Sequence, residues 1–414
     1  MHCALCLPTC PTYALTGLEK SSPRGRIRLI KAVGEGKLSI SDDFVEEMNF
    51  CLDCQACETA CPAGVEYGRI VEAARVHIAE AARESLLSRL LKPVLLKRLF
   101  EKPARLRFLA SFLKAYQNSG IDSLFKNSRA LRIFSDKLHQ IQFLVPTVSP
   151  QPSIKILSTR HLPVKTAKYK VGLLTGCIMD VAVAETNVDT MKLLVHHRCE
   201  VIIPPEQGCC GSLQAHNGDE ETARRLARRT VDTFSKLGLD AVIMNSAGCG
   251  AYMKQYGEVL SDDQEYAAPA ADLAAKVKDL SEFLADIGLN IGQNSQNPFR
   301  SKRVTYHDAC HLVHAQKISR QPRDLIKSVP DVEYVELPEA NWCCGSAGTY
   351  NITHFDASMQ LLQRKMDNVK SVQPDVIVTS NPGCLIQIQY GLNRDGMKVE
   401  LLHLATFLRR ACGA

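Results

Sequence analysis

The sequence predicts an α+β multidomain protein with an α-helical N-terminal domain, a helical connector and two tandem α/β repeats. Three observations lead to this prediction: a dense cysteine motif at residues 51–62, a basic leucine-rich stretch after residue 83, and a duplicated pattern of strands and cysteines after residue 168. A chain of 414 residues with 45% hydrophobic residues is long enough for several domains. We place the boundaries at 1–82, 83–167, 168–297 and 298–414.

The N-terminal domain is predicted from the motif C-x2-C-x2-C-x3-C-P, which runs from Cys51 to Pro62. This spacing is typical of a ferredoxin-type [4Fe–4S] site, in which the fourth cysteine binds a second cluster. An incomplete copy of the motif opens the chain, ending in Cys10 and Pro11. The sequence therefore predicts two [4Fe–4S] clusters. The cysteines expected for the first are Cys10, Cys51, Cys54 and Cys57, and those for the second are Cys3, Cys6 and Cys61.

The second cluster lacks one ligand in this sequence. The repeated spacing puts the missing cysteine three residues before Cys3, immediately before Met1. We expect either that the natural chain begins further upstream or that three thiolates hold a [3Fe–4S] centre or a weak site. The remainder of the domain is predicted to be helical, with helices over Ile27–Val33, Phe44–Asn49 (capped by Asp42-Asp43) and Gly68–Arg83.

The connector is the basic part of the chain. Between Arg83 and Lys137 there are 13 Lys and Arg against 4 Asp and Glu, whereas the whole chain has a net charge of only +6. Leucines recur at helical spacing from Leu86 to Leu99, and a second apolar stripe runs from Leu106 to Leu113. A basic amphipathic helix can lie on an anionic membrane surface, or its stripe can pack on a neighbouring domain. The stretch Pro146–Pro163 is predicted to be a linker.

The C-terminal part contains an internal repeat. Cys177 and Cys310 are 133 residues apart, Cys210 and Cys344 are 134 apart, and Cys249 and Cys384 are 135 apart. Each half alternates strands, cysteines and helices, which predicts a parallel α/β sheet. The predicted strands are Val171–Leu174, Glu200–Ile203 and Ala241–Met244 in the first half, and Val304–Tyr306, Glu333–Glu336 and Val376–Thr379 in the second.

In both halves the cysteines follow predicted strands, and ligands bind at the carboxyl ends of parallel strands. Two further metal sites are therefore expected, one at Cys177, Cys209, Cys210 and Cys249, the other at Cys310, Cys343, Cys344 and Cys384. Four thiolates suit either an iron–sulfur cluster or Zn²⁺. The adjacent cysteines of the Cys-Cys-Gly turns favour iron–sulfur, since structural zinc sites usually use cysteines two residues apart. Gly211 and Gly345 suit a backbone that approaches such a site closely.

Other residues are interpreted as structural. Cys199 and Cys412 fall outside the repeats and are expected to be buried or free thiols. His307, His311 and His314 flank Cys310 with spacings that could suggest a metal site. Without a paired carboxylate motif, they are interpreted mostly as groups that hydrogen-bond locally or orient a metal ligand. His216 and His354 follow the Cys-Cys-Gly turns and are weaker functional candidates. The chain has no glycine-rich dinucleotide motif and no recognition motif for nucleic acid, so neither ligand is expected.

The chain resembles the iron–sulfur subunit of glycolate oxidase (glycolate dehydrogenase), a family with two ferredoxin motifs followed by two Cys-Cys-Gly domains. Related iron–sulfur subunits of lactate-utilisation and anaerobic glycerol-3-phosphate dehydrogenase systems share this plan. Beyond the cysteines, the strings that carry the resemblance are Pro23–Arg26, Ser246–Ala251, His314–Lys317 and Cys343–Tyr350.

The resemblance implies an electron-transfer subunit without catalytic residues of its own. A flavin-containing glycolate oxidase subunit would oxidise glycolate to glyoxylate, and this chain would pass the electrons toward quinone at the membrane. The absence of a secretion signal and of an apolar membrane span, together with clustered cysteines, predicts a cytoplasmic protein that is peripheral on the inner face of the membrane.

One difference from a related family argues against an alternative function, disulfide reduction. Heterodisulfide reductase subunits, which share the Cys-Cys-Gly repeats, close each unit with C-x2-C, whereas this chain has Ser246 and Asn381 at the first position of that pair. A five-thiolate cluster and disulfide-reductase chemistry are therefore not expected. A zinc-stabilised scaffold with degenerate repeats is the third alternative.

Overall fold

The computed structural model describes residues 3–81, 99–128, 136–291 and 297–414. The N-terminal part folds into short helices: α1 (Pro11–Thr16), α2 (Pro23–Gly34), α3 (Asp42–Asn49), α4 (Ala56–Thr59) and α5 (Tyr67–Glu80). Its core is formed by apolar side chains of α3 and α5, among them Met48, Val71 and Ile78, which are almost completely buried. This core supports the loop that carries the Cys51–Pro62 motif.

Serine side chains set the starts of two of these helices. α2 begins earlier than predicted, at Pro23, and the Ser22 hydroxyl accepts a hydrogen bond from the Gly25 N–H at 3.1 Å. α3 is capped by Ser41 rather than by Asp42-Asp43, which lie in its first turn. A serine N-cap satisfies a backbone donor that has no partner within the helix, so it fixes where the helix begins.

The basic connector contains α6 (Pro103–Asn118), α7 (Ile121–Ser128) and α8 (Asp136–Ile141). The stripe from Leu86 to Leu95 lies outside the described residues. On α6, Leu106 and Ala110 are buried against Val181, while Phe108 and Phe112 are exposed. The predicted apolar stripe is thus divided between a packed edge and an exposed edge. Within the described ranges, no helix is long and apolar enough to cross a membrane.

The stretch predicted as a linker, Pro146–Pro163, contributes to the first sheet. It contains α9 (Ser153–Ile156) and the strand β1 (Arg160–His161). The other strands are β2 (Tyr169–Leu173), β3 (Cys199–Ile202), β4 (Ala241–Met244) and β5 (Val277–Asp279). The order is β1–β3–β2–β4–β5, with β1 antiparallel to β3 and all other pairs parallel. The linker prediction is wrong here because β1 pairs with the edge of β3.

The second sheet is entirely parallel. Its strands are β6 (Arg303–His307), β7 (Glu333–Tyr334), β8 (Val376–Thr379) and β9 (Glu400–His403), in the order β7–β6–β8–β9. β7 is shorter than predicted. The sequence analysis did not predict β5 and β9, since both are short and carry charged residues that weaken the apolar pattern of a strand.

The strands are joined and covered by helices. Those of the first repeat are α10 (Ile178–Ala182), α11 (Ala184–His196), α12 (Ser212–His216), α13 (Glu220–Phe234), α14 (Ala247–Lys254), α15 (Tyr256–Val259), α16 (Ala267–Lys276) and α17 (Leu280–Ile287). Those of the second are α18 (Arg320–Lys327), α19 (Tyr350–Thr353), α20 (Phe355–Val372), α21 (Pro382–Arg394) and α22 (Leu404–Cys412).

The two repeats share one hydrophobic core. Buried side chains of β2 and β6 belong to the same cluster, in which the rings of Phe299 and Phe407 stack with centroids 4.4 Å apart. Cys199 and Cys412 lie in this cluster, so they contribute to packing. His403 contacts the Asn245 backbone oxygen at 2.8 Å, which joins the end of β9 to the end of β4. The carboxyl ends of the two sheets, where the cysteines lie, are therefore close to one another.

Candidate metal centres

Cys10, Cys51, Cys54 and Cys57 line one small cavity in the N-terminal part. The motif can curl around this cavity because Asp53 and Gln55 take left-handed backbone conformations, with φ of 51° and 59°. Burial, together with the nearby Cys51 and Cys10, raises the pKa of the Cys57 thiol well above its usual value. Four sulfur donors line one cavity, so this donor set fits a cationic metal centre.

A buried arginine lies against the same thiols. Arg26 is fully buried; its Nε donates to the Glu47 backbone oxygen at 2.8 Å and its Nη1 donates to Thr12 Oγ1 at 3.0 Å. Burial disfavours the charge, but Cys51, Tyr67 and Cys10 hold the pKa of Arg26 above its ordinary value. Arg26 Nη2 has no hydrogen-bond partner within the described part of the chain, but it forms an ion pair with Glu47 Oε2 at 3.8 Å. A permanent cation here is well placed to balance the negative charge of a thiolate-bound cluster.

The other N-terminal thiols lie nearer the surface. Cys3 is exposed, whereas Cys6 and Cys61 are half-buried. Backbone N–H groups of Val65 and Ala63 lower the pKa of the Cys61 thiol, which favours the thiolate that a metal requires. Residues 1 and 2 lie outside the described residues. The assignment of these three cysteines to a second cluster remains a prediction.

The first repeat brings its four predicted cysteines into one row. Thiol–thiol contacts join Cys177 to Cys209, Cys209 to Cys210, and Cys210 to Cys249. Contact with Cys209 and burial raise the pKa of the Cys177 thiol well above its usual value. Gly211 has a φ of 94°, and a Cβ there would lie 2.9 Å from the Ala223 oxygen. The positive φ and the close approach to the Ala223 backbone oxygen therefore favour glycine at the end of the Cys-Cys-Gly turn.

The second repeat has the same arrangement. Contacts join Cys310 to Cys343, Cys343 to Cys344, and Cys344 to Cys384. Gly345 has a φ of 89°, its N–H donates to Cys343 Sγ at 3.4 Å, and an added Cβ would lie 2.6 Å from the Ser358 oxygen. Each repeat thus offers a set of four buried or half-buried thiols at the carboxyl edge of its sheet.

Ser246 and Asn381, which are hydrogen-bond donors, occupy the two positions at which the sequence analysis expected a further cysteine in heterodisulfide reductase subunits. Asn381 Nδ2 donates to Cys384 Sγ at 3.7 Å. In the first repeat, contact with Cys210 and then with Ser246 lowers the pKa of the Cys249 thiol. Each of these side chains therefore contacts a sulfur of the four-thiol set and adds no fifth sulfur ligand.

The N-terminal cavity adjoins the second repeat. Burial and the nearby Cys343 and Cys310 raise the pKa of the Cys54 thiol well above its usual value. Leu52, Cys54, Trp342 and Cys343 belong to one hydrophobic cluster. Contact between these two thiol sets was not predicted, because nothing in the local sequence relates residues so far apart.

A charged cluster at Asp53 joins the N-terminal part to both repeats. His216 Nδ1 lies 2.5 Å from Glu72 Oε1 and 3.1 Å from Asp53 Oδ2. Burial disfavours the imidazolium, but contacts with Asp53 and Glu72 raise the pKa of His216 to about 10. His311 Nε2 lies 2.9 Å from the Asp53 backbone oxygen. His216 therefore has a structural role, which the sequence analysis only partly foresaw.

The remaining histidines differ in their surroundings. His314 Nδ1 contacts Thr59 Oγ1 at 3.0 Å, which agrees with its predicted hydrogen-bonding role. His354 stacks on Tyr350 and packs against Phe50. Neither ring nitrogen of His307 has a hydrogen-bond partner of good geometry among the described residues, but the ring contacts the backbone of Ala340, so its hydrogen-bonding role stays a prediction.

Comparison with known families agrees with this arrangement. The family described as a 4Fe-4S dicluster domain matches residues 1–66, and the family described as a cysteine-rich domain matches residues 171–254 and 304–389. The chain is therefore an iron–sulfur protein with a dicluster domain and two cysteine-rich domains. The linker region of the glycolate oxidase iron–sulfur subunit matches residues 87–144.

Whole-chain relatives define the family. The probable glycolate oxidase iron–sulfur subunit of Bacillus subtilis is 39% identical over 100% of this chain and 93% of the relative. The glycolate oxidase iron–sulfur subunit of Escherichia coli is 32% identical over 93% of this chain and 88% of the relative. Lactate utilization protein A of Oceanobacillus iheyensis is 29% identical over 58% of this chain and 96% of the relative. The chain belongs to the family of glycolate oxidase iron–sulfur subunits.

Proposed function

We propose that this chain is the electron-transfer subunit of a glycolate oxidase complex. It would receive electrons from a flavin-containing subunit that oxidises glycolate to glyoxylate, and pass them toward a quinone in the membrane. The observation that carries the proposal is the similarity along the whole chain to glycolate oxidase iron–sulfur subunits, together with the buried thiol sets in each part of the molecule.

We assign the ligands as follows. One [4Fe–4S] cluster is held by Cys10, Cys51, Cys54 and Cys57, and the second involves Cys3, Cys6 and Cys61. The repeats hold further metal centres at Cys177, Cys209, Cys210 and Cys249, and at Cys310, Cys343, Cys344 and Cys384. When bound, an iron–sulfur cluster supplies a one-electron carrier whose potential depends on charge, hydrogen bonds and exposure. The protein's own residues would bury many of these thiols, and Arg26 would counter the charge of the N-terminal set.

Two alternatives are less well supported. The lactate-utilisation relative given above matches just over half of this chain, whereas the glycolate oxidase linker region matches the connector. Direct disulfide reduction is disfavoured because Ser246 and Asn381 stand where the reductases have cysteine. We therefore favour glycolate over lactate as the substrate of the complex.

The test is reconstitution under anaerobic conditions. We would purify the chain with its co-expressed flavin subunits, count iron and acid-labile sulfide, and follow reduction of a soluble quinone analogue by glycolate. We expect glycolate-dependent reduction that exceeds the rate with L-lactate and is lost in Cys54→Ser. Faster turnover of lactate would assign the complex to lactate, and disulfide reduction by the chain alone would favour the reductase alternative. Zinc without iron in the repeats would restrict the iron–sulfur assignment to the N-terminal part.

We also propose that α6 contacts the membrane surface. Phe108, Leu109 and Phe112 are exposed on this helix within a basic segment. The double variant Phe108→Ser/Phe112→Ser should reduce co-sedimentation with anionic vesicles. Leu162→Ser, which alters an exposed leucine outside α6, serves as the control. Unchanged sedimentation of the double variant would exclude this surface.

A further inference from the structure

His307 is a buried histidine beside the thiols of the second repeat. It is the last residue of β6, and its side chain is 1% exposed. One ring nitrogen of His307 and the sulfurs of Cys344 and Cys384 all lie within 4.8 Å of one another. The ring therefore reaches the thiol set from the strand, whereas the cysteines reach it from loops and a helix.

The buried imidazole of His307 has no hydrogen bond of good geometry. Neither ring nitrogen has such a partner within the described ranges, and the ring has one looser polar contact, with the backbone of Ala340. Other buried histidines near the cysteines each use at least one ring nitrogen, as His311 does with Asp53 and His403 does with Asn245. A buried polar group without a well-formed hydrogen bond is unfavourable, so such a group generally indicates a partner that the protein atoms alone do not supply.

The first repeat has no histidine at this position. Aligning Cys310 with Cys177, which are 133 residues apart, aligns His307 with Leu174. Leu174 is also 1% exposed and packs in an apolar cluster beneath its own sheet. The position is thus compatible with an apolar side chain of similar burial, so packing alone does not require histidine in the second repeat.

We propose that His307 is a ligand of the metal centre in the second repeat, together with Cys344 and Cys384, whereas the first repeat offers thiolates only. This inference rests on the proposal that the second-repeat thiols bind a metal. A mixed set of sulfur and imidazole donors is known both for zinc and for iron–sulfur sites. A neutral imidazole contributes no negative charge, so the two repeats would hold centres of different charge and, if both are iron–sulfur, of different reduction potential.

The test compares variants of the full chain, purified anaerobically, by iron and zinc content. His307→Leu introduces the residue that the first repeat already accommodates, His307→Gln retains a hydrogen-bond donor, and His307→Cys restores a soft ligand. Cys384→Ser tests separately whether the site binds metal. We expect His307→Leu and His307→Gln to lose the same metal as Cys384→Ser, and His307→Cys to retain it with an altered spectrum.

A spectroscopic measurement separates ligation from packing. With ¹⁵N-histidine incorporated, pulsed EPR of a paramagnetic centre should show strong nitrogen coupling that disappears in His307→Cys. If the metal is zinc, X-ray absorption at the zinc edge should show a nitrogen ligand instead. Full metal retention in His307→Leu or His307→Gln, or the absence of a nitrogen ligand in the wild type, would overturn the inference. If Cys384→Ser retains all metal, the second-repeat metal site itself is disproved, and this inference falls with it.

Discussion

At the scale of single residues, Arg26 is expected to set the reduction potential of the N-terminal cluster. Reduction adds negative charge, and a buried guanidinium beside Cys10 and Cys51 stabilises that charge. Arg26→Gln should lower the midpoint potential by on the order of 100 mV, as the Coulomb energy of one charge at an effective dielectric constant near 20 suggests. An EPR-monitored redox titration measures this shift.

Two control variants test the role of Arg26: one removes another arginine of the same helix, and the other keeps the positive charge at position 26. Arg28→Gln removes an exposed arginine of α2 and should leave the potential unchanged. Arg26→Lys keeps the charge and should recover most of the shift if the charge is what matters. An Arg26→Gln protein with intact iron content and an unshifted potential would contradict this role.

At the scale of elements, the Cys-Cys-Gly turn depends on its glycine. Gly345→Ala would place a Cβ 2.6 Å from the Ser358 oxygen and force alanine to a φ of 89°. We expect the free energy of unfolding to fall by about 1–3 kcal/mol from the backbone strain alone, and we expect the second repeat to lose its metal. Gly238→Ala is the matched control, because its φ is 61° but nothing lies within 4 Å of an added Cβ. Thermal unfolding and metal analysis compare the two, and equal effects would show that the close approach is unimportant.

The N-cap of α17 should make stability depend on pH. Burial raises the pKa of Asp279 from 3.8 to about 6, while its carboxylate accepts a hydrogen bond from the Ser281 N–H at 2.8 Å. The folded chain therefore binds this proton more tightly than the unfolded chain, and the stabilisation is lost as the pH rises through about 6. Asp279→Asn keeps the cap but cannot ionise, so it should remove on the order of 1–2 kcal/mol of the decline in stability between about pH 5 and pH 7.

Urea denaturation at several pH values measures the Asp279 effect. Asp286→Asn is the control, because it removes an exposed carboxylate of the same helix and should preserve the pH profile. If the stability of Asp279→Asn declines with pH as much as that of the wild type, the pH dependence comes from other groups.

At the scale of the whole molecule, local patterns predicted the two repeats, their parallel strands and their cysteines. Local patterns did not predict the features that depend on contacts between residues far apart in the sequence. β1 pairs with β3, which the local sequence does not show, and the spacing of His307 from Cys310 did not indicate that its ring lies beside Cys344 and Cys384. Likewise, Asp53 and His216 belong to different parts of the chain, so no periodicity or spacing could have paired them.

That pair supplies the last prediction, because it joins the N-terminal part to the first repeat. His216 is held by Asp53 and Glu72, and the Arg75 guanidinium donates to the His216 backbone oxygen at 2.9 Å. His216→Gln removes the closer cation from the buried Asp53 carboxylate and leaves only Arg75 Nη1 at 4.0 Å, which is expected to destabilise the chain by up to about 3–5 kcal/mol. Hydrogen–deuterium exchange should increase in α5 and α12.

The double variant Asp53→Asn/His216→Gln removes both charges and should recover part of that stability. His77→Gln, which disrupts an exposed pair with Glu80 on the same helix, should have almost no effect. If His216→Gln is no more damaging than His77→Gln, the charged cluster does not hold the two parts together. The cysteine motif and the repeats would then be joined mainly by the apolar contact around Leu52 and Trp342, and substitutions there would produce the larger change in exchange.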